Sequence, residues 1–510
     1  MQAPLIEKPP IPEDEFSTKA VLKKIAAGTA SFGIRGVVVA AHYAGNAAIM
    51  SSLGATEAAA SSLATTIQGL LIGTSSGFLM ATGMALADAL GEIEPSNTTQ
   101  GAIIKTGWMM ALIFGAITTA ACLSTQLTLP LVVDKEVAAA ASTYLKYFSI
   151  AAFPDLLIWT NGQIIFKKEK GKDWIPLATN ATYRLPALAL SYAFAKGLGW
   201  GPMGVGLGSA ISGWVNILAF QKWFSKEIYQ DLDLYTPAID NFSAHAKKFL
   251  STGWKLSLQR ITEWGNLAAI TQILGAWSSK NLVAEQSSIL MLNVCGLLAQ
   301  GSAQASMLTA KTDCKEMAGQ LQLYRDTGSE AALIRAGKLK GRNRKNFYIS
   351  NLAGLSLTVL VGAGMYLAKN AILDWYIPAD EPEAVFKQGS ALLLINLLSL
   401  LPDANRVIAG GMLRGWNDLL FPTVVSLITM SVMGIPAGAG WGLAEDKDAL
   451  PLFIMRAITV CLAAFVNSFK VVQHFRDDDR AHNTAVPRTF EQAIMPATDQ
   501  EMQTGVEHHA

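Results

Sequence analysis

The chain has 510 residues, of which 51% are hydrophobic and only 15% are Asp, Glu, Lys or Arg. Soluble proteins carry about a quarter of their residues as these four charged types, so the composition excludes a large soluble enzyme and a disordered scaffold. The mean hydropathy of +0.31 points to a membrane protein with many crossings. The formal net charge of +1 excludes little, because the distribution of charge decides which partners a protein attracts.

The four cysteines predict neither a disulfide framework nor a zinc site. Cys122, Cys295, Cys314 and Cys461 lie in or beside apolar runs, without a C-x-x-C or a Cys/His spacing. The N-terminal segment is acidic and rich in proline, and it lacks the basic start and apolar core of a cleaved signal. We expect it to be a cytoplasmic tail.

Apolar runs of about 20 residues, the length of one helical crossing, follow one another along the rest of the chain. They show no inside–outside alternation, which favours helices over a barrel. The predicted fold class is an all-α polytopic membrane protein with twelve transmembrane helices. The predicted spans are 24–53, 58–87, 104–126, 138–166, 174–197, 202–224, 246–276, 282–310, 347–368, 384–413, 419–443 and 449–474.

Most of the 40 Lys and Arg residues fall in alternate loops, chiefly 167–172, 222–248 and 311–345, and near both termini. An excess of Lys and Arg is typical of cytoplasmic loops. The pattern therefore predicts an even number of crossings with both termini in the cytoplasm. Several tryptophans near predicted span ends are consistent with an interfacial belt, although core packing could also explain some of them.

Two blocks of sequence recur in the second half of the chain. Six crossings return a chain to its starting side, so we expect two six-helix halves related by a pseudo-two-fold axis along the membrane normal. Such halves commonly enclose a substrate cavity and rock for alternating access, although a channel or a membrane enzyme could be duplicated too. The matching blocks are Gly69-Leu70-Leu71 with Gly296-Leu297-Leu298, and Pro154-Asp155 before Gly162 with Pro402-Asp403 before Gly410.

This division predicts the domain organisation. The N-terminal half covers 21–224 and the C-terminal half covers 246–475, which contains a basic cytoplasmic loop over 311–345. The remaining segments are an N-terminal cytoplasmic tail over 1–20, a cytoplasmic linker over 225–245 and a disordered cytoplasmic tail over 476–510.

Glu263 and Asp403 lie well inside predicted spans. An ionised carboxylate there costs several kcal/mol unless it is paired or faces water, so both are candidates for a functional site. Burial also lets proton binding be coupled to conformation. Alternatively, each is a structural ion pair with an arginine three residues away, Arg260 or Arg406, on nearly the same helical face.

Asp155, the repeat partner of Asp403, follows Pro154 in the fourth predicted span. It is a candidate second proton site, and the alternative is a cap at a proline kink. Arg184 adds another positive charge deep in a span.

Several ordered segments resemble the multidrug and toxic compound extrusion (MATE) transporters. The family's joint between its first two helices is similar to Leu53–Ala60, and its tenth-helix ending is similar to Gly411-Met412-Leu413-Arg414-Gly415. Glu263-Trp264, Ala284-Glu285-Gln286 and Gly434-Ile435-Pro436-Ala437-Gly438 also follow the family order, so that the resemblance covers residues 20–475. It implies that Glu263 and Asp403 bind the coupling ion, H⁺ or Na⁺.

The chain departs from the family pattern at two positions. Asn46 stands where the family has a first-helix Asp, and Asn cannot titrate. His42 lies one turn earlier and could titrate instead, or it could be a hydrogen-bonded structural histidine. Glu285 replaces the histidine of the family's Ala-His-Gln.

The function expected from this resemblance is secondary active export of small amphipathic organic compounds by antiport with H⁺ or Na⁺. Arg184, Arg260 and Arg406 either neutralise the carboxylates or make the cavity less negative, which suits a zwitterionic or anionic substrate. Alternatives are therefore an organic-anion exporter or lipid-linked flippase of the same fold, or a transport-inactive membrane scaffold.

Other classes lack support in the sequence. There is no Walker pattern, no H-E-x-x-H and no G-x-S-x-G in a setting that a hydrolase would need. The basic stretch 335–345 is expected to contact anionic lipid headgroups rather than nucleic acid. We therefore expect no enzyme activity, no cofactor, no bound metal apart from a possible Na⁺ at Glu263 and Asp403, and no nucleic-acid partner. The expected form is a monomer in the bacterial inner membrane.

Overall fold

The computed structural model describes residues 16–90, 97–168, 174–228 and 242–485. All regular secondary structure in these ranges is helical, which confirms the predicted all-α fold class. The helices of the N-terminal half are α1 (Thr18–Ser51), α2 (Ala55–Leu90), α3 (Asn97–Thr128), α4 (Lys135–Phe148), α5 (Ala152–Lys168), α6 (Trp174–Tyr192) and α7 (Gly201–Ile228). Those of the C-terminal half are α8 (Phe242–Trp277), α9 (Ser279–Thr327), α10 (Glu330–Leu367), α11 (Lys369–Tyr376), α12 (Glu383–Gly415), α13 (Phe421–Ser426), α14 (Ile435–Ala444) and α15 (Leu450–Ala485).

Six helical segments in the described ranges are long and apolar enough to cross a bilayer by length and composition. They are Ala55–Leu90, Asn97–Leu131, Glu330–Leu367, Glu383–Gly415, Phe421–Ala444 and Leu450–Asp477. Large apolar side chains such as Leu127, Leu367 and Phe465 are exposed on the outside of the bundle, as a protein surrounded by lipid requires. The number of crossings, twelve, stays a prediction.

The fourth predicted span is divided into α4 and α5 by a turn of 3₁₀-helix at Ser149–Ala151. Pro154 lies in the first turn of α5, where its missing N–H leaves a carbonyl four residues earlier without a helical partner. That carbonyl, of Ile150, accepts a hydrogen bond of 3.0 Å from Nε1 of Trp214 on α7. The break is therefore stabilised by a side chain from a neighbouring helix.

The two halves meet chiefly along α1, α2, α8 and α9, and α10 also packs against α1. α1 packs against α9 and α2 packs against α8, while α2 also contacts α9. In the sequence repeat, α1 corresponds to α8 and α2 corresponds to α9. The α1–α9 contact therefore corresponds to the α8–α2 contact, and the repeat exchanges one for the other. That exchange is what a two-fold relation between the halves requires. Small residues permit the close approach, since Gly69 and Gly73 lie directly against the Trp264 ring.

The stretch 311–345, predicted to be a basic cytoplasmic loop, is almost entirely helical, and its position on the cytoplasmic side stays a prediction. α9 continues to Thr327, and α10 begins at Glu330. Gly328 ends α9 with φ +68°, a left-handed conformation that glycine adopts readily, and the Ser329 side chain caps α10. The charges that suggest a solvated loop instead pair between the two helices, as in the Arg342–Asp313 ion pair of 2.6 Å.

The predicted terminal and linker segments are described only in part. Ser17 caps the start of α1, and residues 1–15 lie outside the described ranges. α7 extends to Ile228 and α8 begins at Phe242, so most of the predicted linker, 229–241, also lies outside them. Residues 476–485 of the tail expected to be disordered are helical, since Phe475 packs on Phe347 and Trp416 and holds the end of α15 to the bundle. Residues 486–510 are not described.

Candidate functional site

A cavity lies between the two halves. Its walls come from α1, α2, α5 and α6 of the N-terminal half and from α8 and α9 of the C-terminal half. We call it the central cavity. Its charged lining residues are Arg35, Asp155, Arg184 and Arg260, and its larger apolar ones are Ile72, Ile158, Trp159, Trp264 and Leu297.

Asp155 and Arg184, singled out separately from the sequence, form an ion pair in the central cavity. Nη2 of Arg184 on α6 donates to Oδ1 of Asp155 on α5 at 2.6 Å. The Arg184 guanidinium also lies over the rings of Tyr183, at 4.2 Å, and Tyr43, at 5.6 Å. Asp155 thus forms an ion pair with a residue of the neighbouring helix. Neither interpretation from the sequence, a proton site or a cap at a proline kink, included this pair.

Arg35 on α1 reaches the same cavity and is only 3% exposed. Its guanidinium lies 4.7 Å from the centre of the Trp159 ring, a cation–π contact. A side chain at Gly162 would overlap this guanidinium, so the glycine makes its position possible. Among the described residues, nothing accepts a hydrogen bond from Nε or Nη1 of Arg35.

Glu263, Asp403 and Arg406 line a second, smaller cavity within the C-terminal half, which also includes Arg456. We call it the C-terminal cavity; it adjoins the central cavity at Trp264, since that residue lines both. The predicted residues therefore face the protein interior.

Arg406 joins the two candidate carboxylates of the C-terminal cavity. It donates from Nη1 to Oε1 of Glu263 at 3.1 Å and from Nε to Oδ1 of Asp403 at 2.8 Å. Arg260 pairs with the other oxygen of Glu263 at 3.3 Å, as its position one turn away predicts. Arg456 on α15 lies 3.9 Å from Asp403. The two ion pairs considered from the sequence, Arg260–Glu263 and Arg406–Asp403, are both present. The Arg406–Glu263 contact between α12 and α8 joins them.

Gln259 and Arg414 extend this cluster and were not among the predicted site residues. Gln259 donates from Nε2 to Glu263 at 3.1 Å and accepts from Nη1 of Arg414 at 3.1 Å. Arg414 belongs to the Gly-x-Leu-Arg-Gly segment, so the motif was a usable signal. No motif in the sequence marks Gln259, because its contact with Arg414 depends on how α8 faces α12.

His42 and Asn46 lie together in α1, away from the central cavity. Nε2 of His42 is 3.2 Å from Nδ2 of Asn46 and 3.3 Å from the hydroxyl of Ser209 on α7. Both side chains are buried, at 0% and 4% exposure. The predicted one-turn relationship is thus present as a contact, while a role in ion coupling stays a prediction.

Glu285 is a buried carboxylate for which the sequence analysis proposed no role. It is fully buried in α9, where Oε1 accepts from Thr271 at 2.9 Å and Oε2 accepts from Ser62 of the N-terminal half at 3.2 Å. Among the described residues it has no ion-pair partner. The motif marked Glu285 as a departure from the family pattern, whereas its hydroxyl partners could not be read from the sequence.

Five arginines and three carboxylates line the two cavities, so their described walls carry an excess of positive charge. Within the described ranges, no group of three or more His, Cys, Asp or Glu residues is arranged to hold a metal ion. Oxygens of Glu263 and Asp403 accept hydrogen bonds from guanidinium groups, so those oxygens are not free to coordinate a cation.

Comparisons with known proteins agree with this architecture, although no family model matches the chain. It is 21% identical over 319 residues to a probable multidrug resistance protein NorM of Xylella fastidiosa, a stretch covering 62% of this chain and 58% of that relative. It is 23% identical over 448 residues to a NorM of Deinococcus radiodurans, covering 84% of this chain and 90% of the relative. Thus the similarity spans less than two thirds of the Xylella protein's length but most of the Deinococcus protein's.

Solved structures show the same fold at low sequence identity. A MOP superfamily transporter from Pyrococcus furiosus has a TM-score of 0.73 at 15% identity, and the match covers 92% of this chain and 99% of that one. An outward-facing MATE transporter has a TM-score of 0.71 at 14% identity, over 90% and 97% of the two chains. The resemblance predicted from the sequence is confirmed: the chain is an integral membrane protein with the MATE transporter fold and NorM proteins among its relatives.

Proposed function

We propose that this protein is a secondary active transporter that exports small amphipathic organic compounds by antiport. The observation that carries the proposal is the central cavity, which lies between the halves and combines aromatic and aliphatic walls with buried charges. A cavity of this kind suits molecules with both an apolar body and a polar group. The NorM names of the curated relatives support the same function.

The geometry favours H⁺ over Na⁺ as the coupling ion. Glu263 and Asp403 share Arg406, so a proton added to either carboxylate removes one partner of a buried charge network. The network would then rearrange, because an arginine that loses a carboxylate must find another partner in a low-dielectric site. Na⁺ would instead have to displace guanidinium groups from several oxygens at once.

The transport cycle follows from the contacts between the halves. The 21–224 and 246–475 halves would move relative to each other about the α1–α9 and α2–α8 contacts. Protonation in the C-terminal half would alter how α8 is held to α12, and α8 also packs on α2 of the other half. Proton binding is in this way linked to the interface that must open and close.

The remaining expectations become part of the same proposal. Both termini lie in the cytoplasm of a bacterial cell, and the protein acts as a monomer in the inner membrane, without a cofactor, a nucleic-acid partner or an enzymatic step. The substrate then moves out of the cell in exchange for protons that enter it.

Transport in liposomes tests the proposal. The purified protein would be reconstituted, and accumulation of rhodamine 6G and of its free acid, rhodamine 19, would be followed under an imposed pH gradient or Na⁺ gradient. We expect concentrative transport of at least one dye with the pH gradient alone. Accumulation of neither dye under either gradient would contradict the proposal, and accumulation driven by Na⁺ alone would overturn the choice of ion.

A further inference from the structure

The arginines of the central cavity differ in how fully their charge is neutralised. Arg184 is paired with Asp155 at 2.6 Å, and Arg260 is paired with Glu263 at 3.3 Å. Arg35 forms no ion pair with any described carboxylate, and its Nε and Nη1 lack acceptors there. Asp155 is the carboxylate of this cavity that acts on Arg35, and it already contacts Arg184, so the two arginines share one negative charge.

Keeping such a charge buried is costly. A cation removed from water without a close ionic partner is destabilised, and a cation–π contact with Trp159 offsets only part of that cost. Arg35 is 97% buried, so bulk water does not solvate it freely. A negatively charged group entering the cavity would supply the missing partner.

The surroundings of Arg35 also limit what kind of anion fits. One side of the guanidinium is occupied by Trp159 and another by the backbone at Gly162. The rest of the cavity presents apolar walls, including Ile72, Trp264 and Leu297. An acidic group carried on an aromatic or aliphatic body matches this arrangement better than a small hydrated anion does.

We infer that Arg35 forms an anion subsite in the central cavity, and that the transported compounds carry a carboxylate or a similar oxyanion beside an apolar body. The inference rests on the proposed transport function and names its substrate class. The excess of arginine over carboxylate in the two cavities disfavours compounds whose only charge is positive.

Equilibrium binding of two matched dyes tests the inference. Rhodamine 19 carries a free carboxylate, whereas rhodamine 6G is its ethyl ester and has only the positive charge. Binding to the full chain in phosphatidylcholine nanodiscs would be measured by fluorescence anisotropy. We expect wild-type protein to bind rhodamine 19 about tenfold more tightly than rhodamine 6G, which corresponds to about 1.4 kcal/mol.

Variants of Arg35 separate recognition from folding. Arg35→Gln should weaken binding of rhodamine 19 about tenfold and leave rhodamine 6G unchanged or bound more tightly, whereas Arg35→Lys should retain most of the preference. Arg325→Gln, which removes an exposed arginine of α9, is the matched control and should change neither affinity. If Arg35→Gln does not fold, loss of preference in Gly162→Ala, which displaces the guanidinium, tests the same contact.

The outcomes distinguish the inference from the proposed function. Equal binding of the two dyes to wild type, or equal weakening of both by Arg35→Gln, overturns the anion subsite. Dye accumulation in liposomes would leave the transport proposal standing in that case. Repeating the assay with phosphatidylglycerol nanodiscs identifies the source of the anion, because a lipid headgroup that occupies the subsite would abolish the Arg35-dependent preference there.

Discussion

Arg406 on α12 donates a hydrogen bond of 3.1 Å from Nη1 to Oε1 of Glu263 on α8, across 143 positions of sequence. The same guanidinium holds Asp403, one turn away on its own helix, at 2.8 Å. One buried cation therefore connects both carboxylates that the sequence marks as candidates. Any change in the protonation of either carboxylate changes the partners available to the other.

Neutralising the two carboxylates should uncouple transport. Glu263→Gln and Asp403→Asn keep the side-chain shape but cannot release a proton, so we expect each to reduce concentrative dye accumulation at least tenfold under a pH gradient. Glu445→Gln, at an exposed turn, should behave as wild type. Accumulation by both site variants at the wild-type level would show that the coupling proton binds elsewhere.

Removing the shared arginine should destabilise the protein more than removing one acid. Arg406→Gln leaves Asp403 with only the more distant Arg456, at 3.9 Å, and breaking a buried pair from one side costs about 3–5 kcal/mol. Adding Asp403→Asn should restore part of this loss. Unfolding in detergent, followed by circular dichroism, measures both effects. An Arg406→Gln protein as stable as wild type would mean that the network contributes nothing to folding.

A methyl group at Gly69 should disturb the contact between the halves. Its Cβ would overlap the six-membered part of the Trp264 ring, and overpacking of this kind costs about 1–3 kcal/mol. We expect Gly69→Ala to lower the melting temperature and Trp264→Leu to restore much of it in the double variant. Gly364→Ala, whose added carbon meets nothing within 4 Å, is the control. A Gly69→Ala protein that melts like this control would contradict the close α2–α8 contact.

The Arg342–Asp313 pair should hold the basic ends of α9 and α10 together. Arg342 donates twice to Asp313, at 2.6 and 3.0 Å, and the carboxylate is fully buried. Arg342→Gln leaves that carboxylate without its bidentate partner, so we expect faster hydrogen exchange over 311–345 and cleavage there by trypsin at lower enzyme concentration. Arg325→Gln should show neither effect. Unchanged exchange in Arg342→Gln would indicate that helix propensity alone maintains this helical pair.

Most of the helical framework was predictable because membrane helices must satisfy their backbone hydrogen bonds internally and present apolar surface to lipid. The predicted spans coincide with helical segments to within two residues at their ends, and the repeat placed Asp155 and Asp403 at corresponding positions. Ion pairs between residues one turn apart were equally predictable. The pairs Arg260–Glu263 and Asp403–Arg406 follow from helical geometry alone. The helical structure of 311–345 was not predicted, because charge density alone does not distinguish a solvated loop from helices joined by buried ion pairs.

The sequence by itself determined that this chain is a helical membrane protein with a duplicated plan and with charged residues inside its spans, because hydropathy and helical periodicity are local properties. Only the tertiary structure decided which charges meet. Arg184 pairs with Asp155 on another helix, and Arg406 pairs with Glu263 on another helix. Arg35 lines the central cavity and lies beside Gly162. Pairing between helices depends on their rotation and spacing, and these arise from packing across the whole bundle. For that reason, the charge of the cavity, and with it the substrate class that we infer, emerges only from the folded molecule.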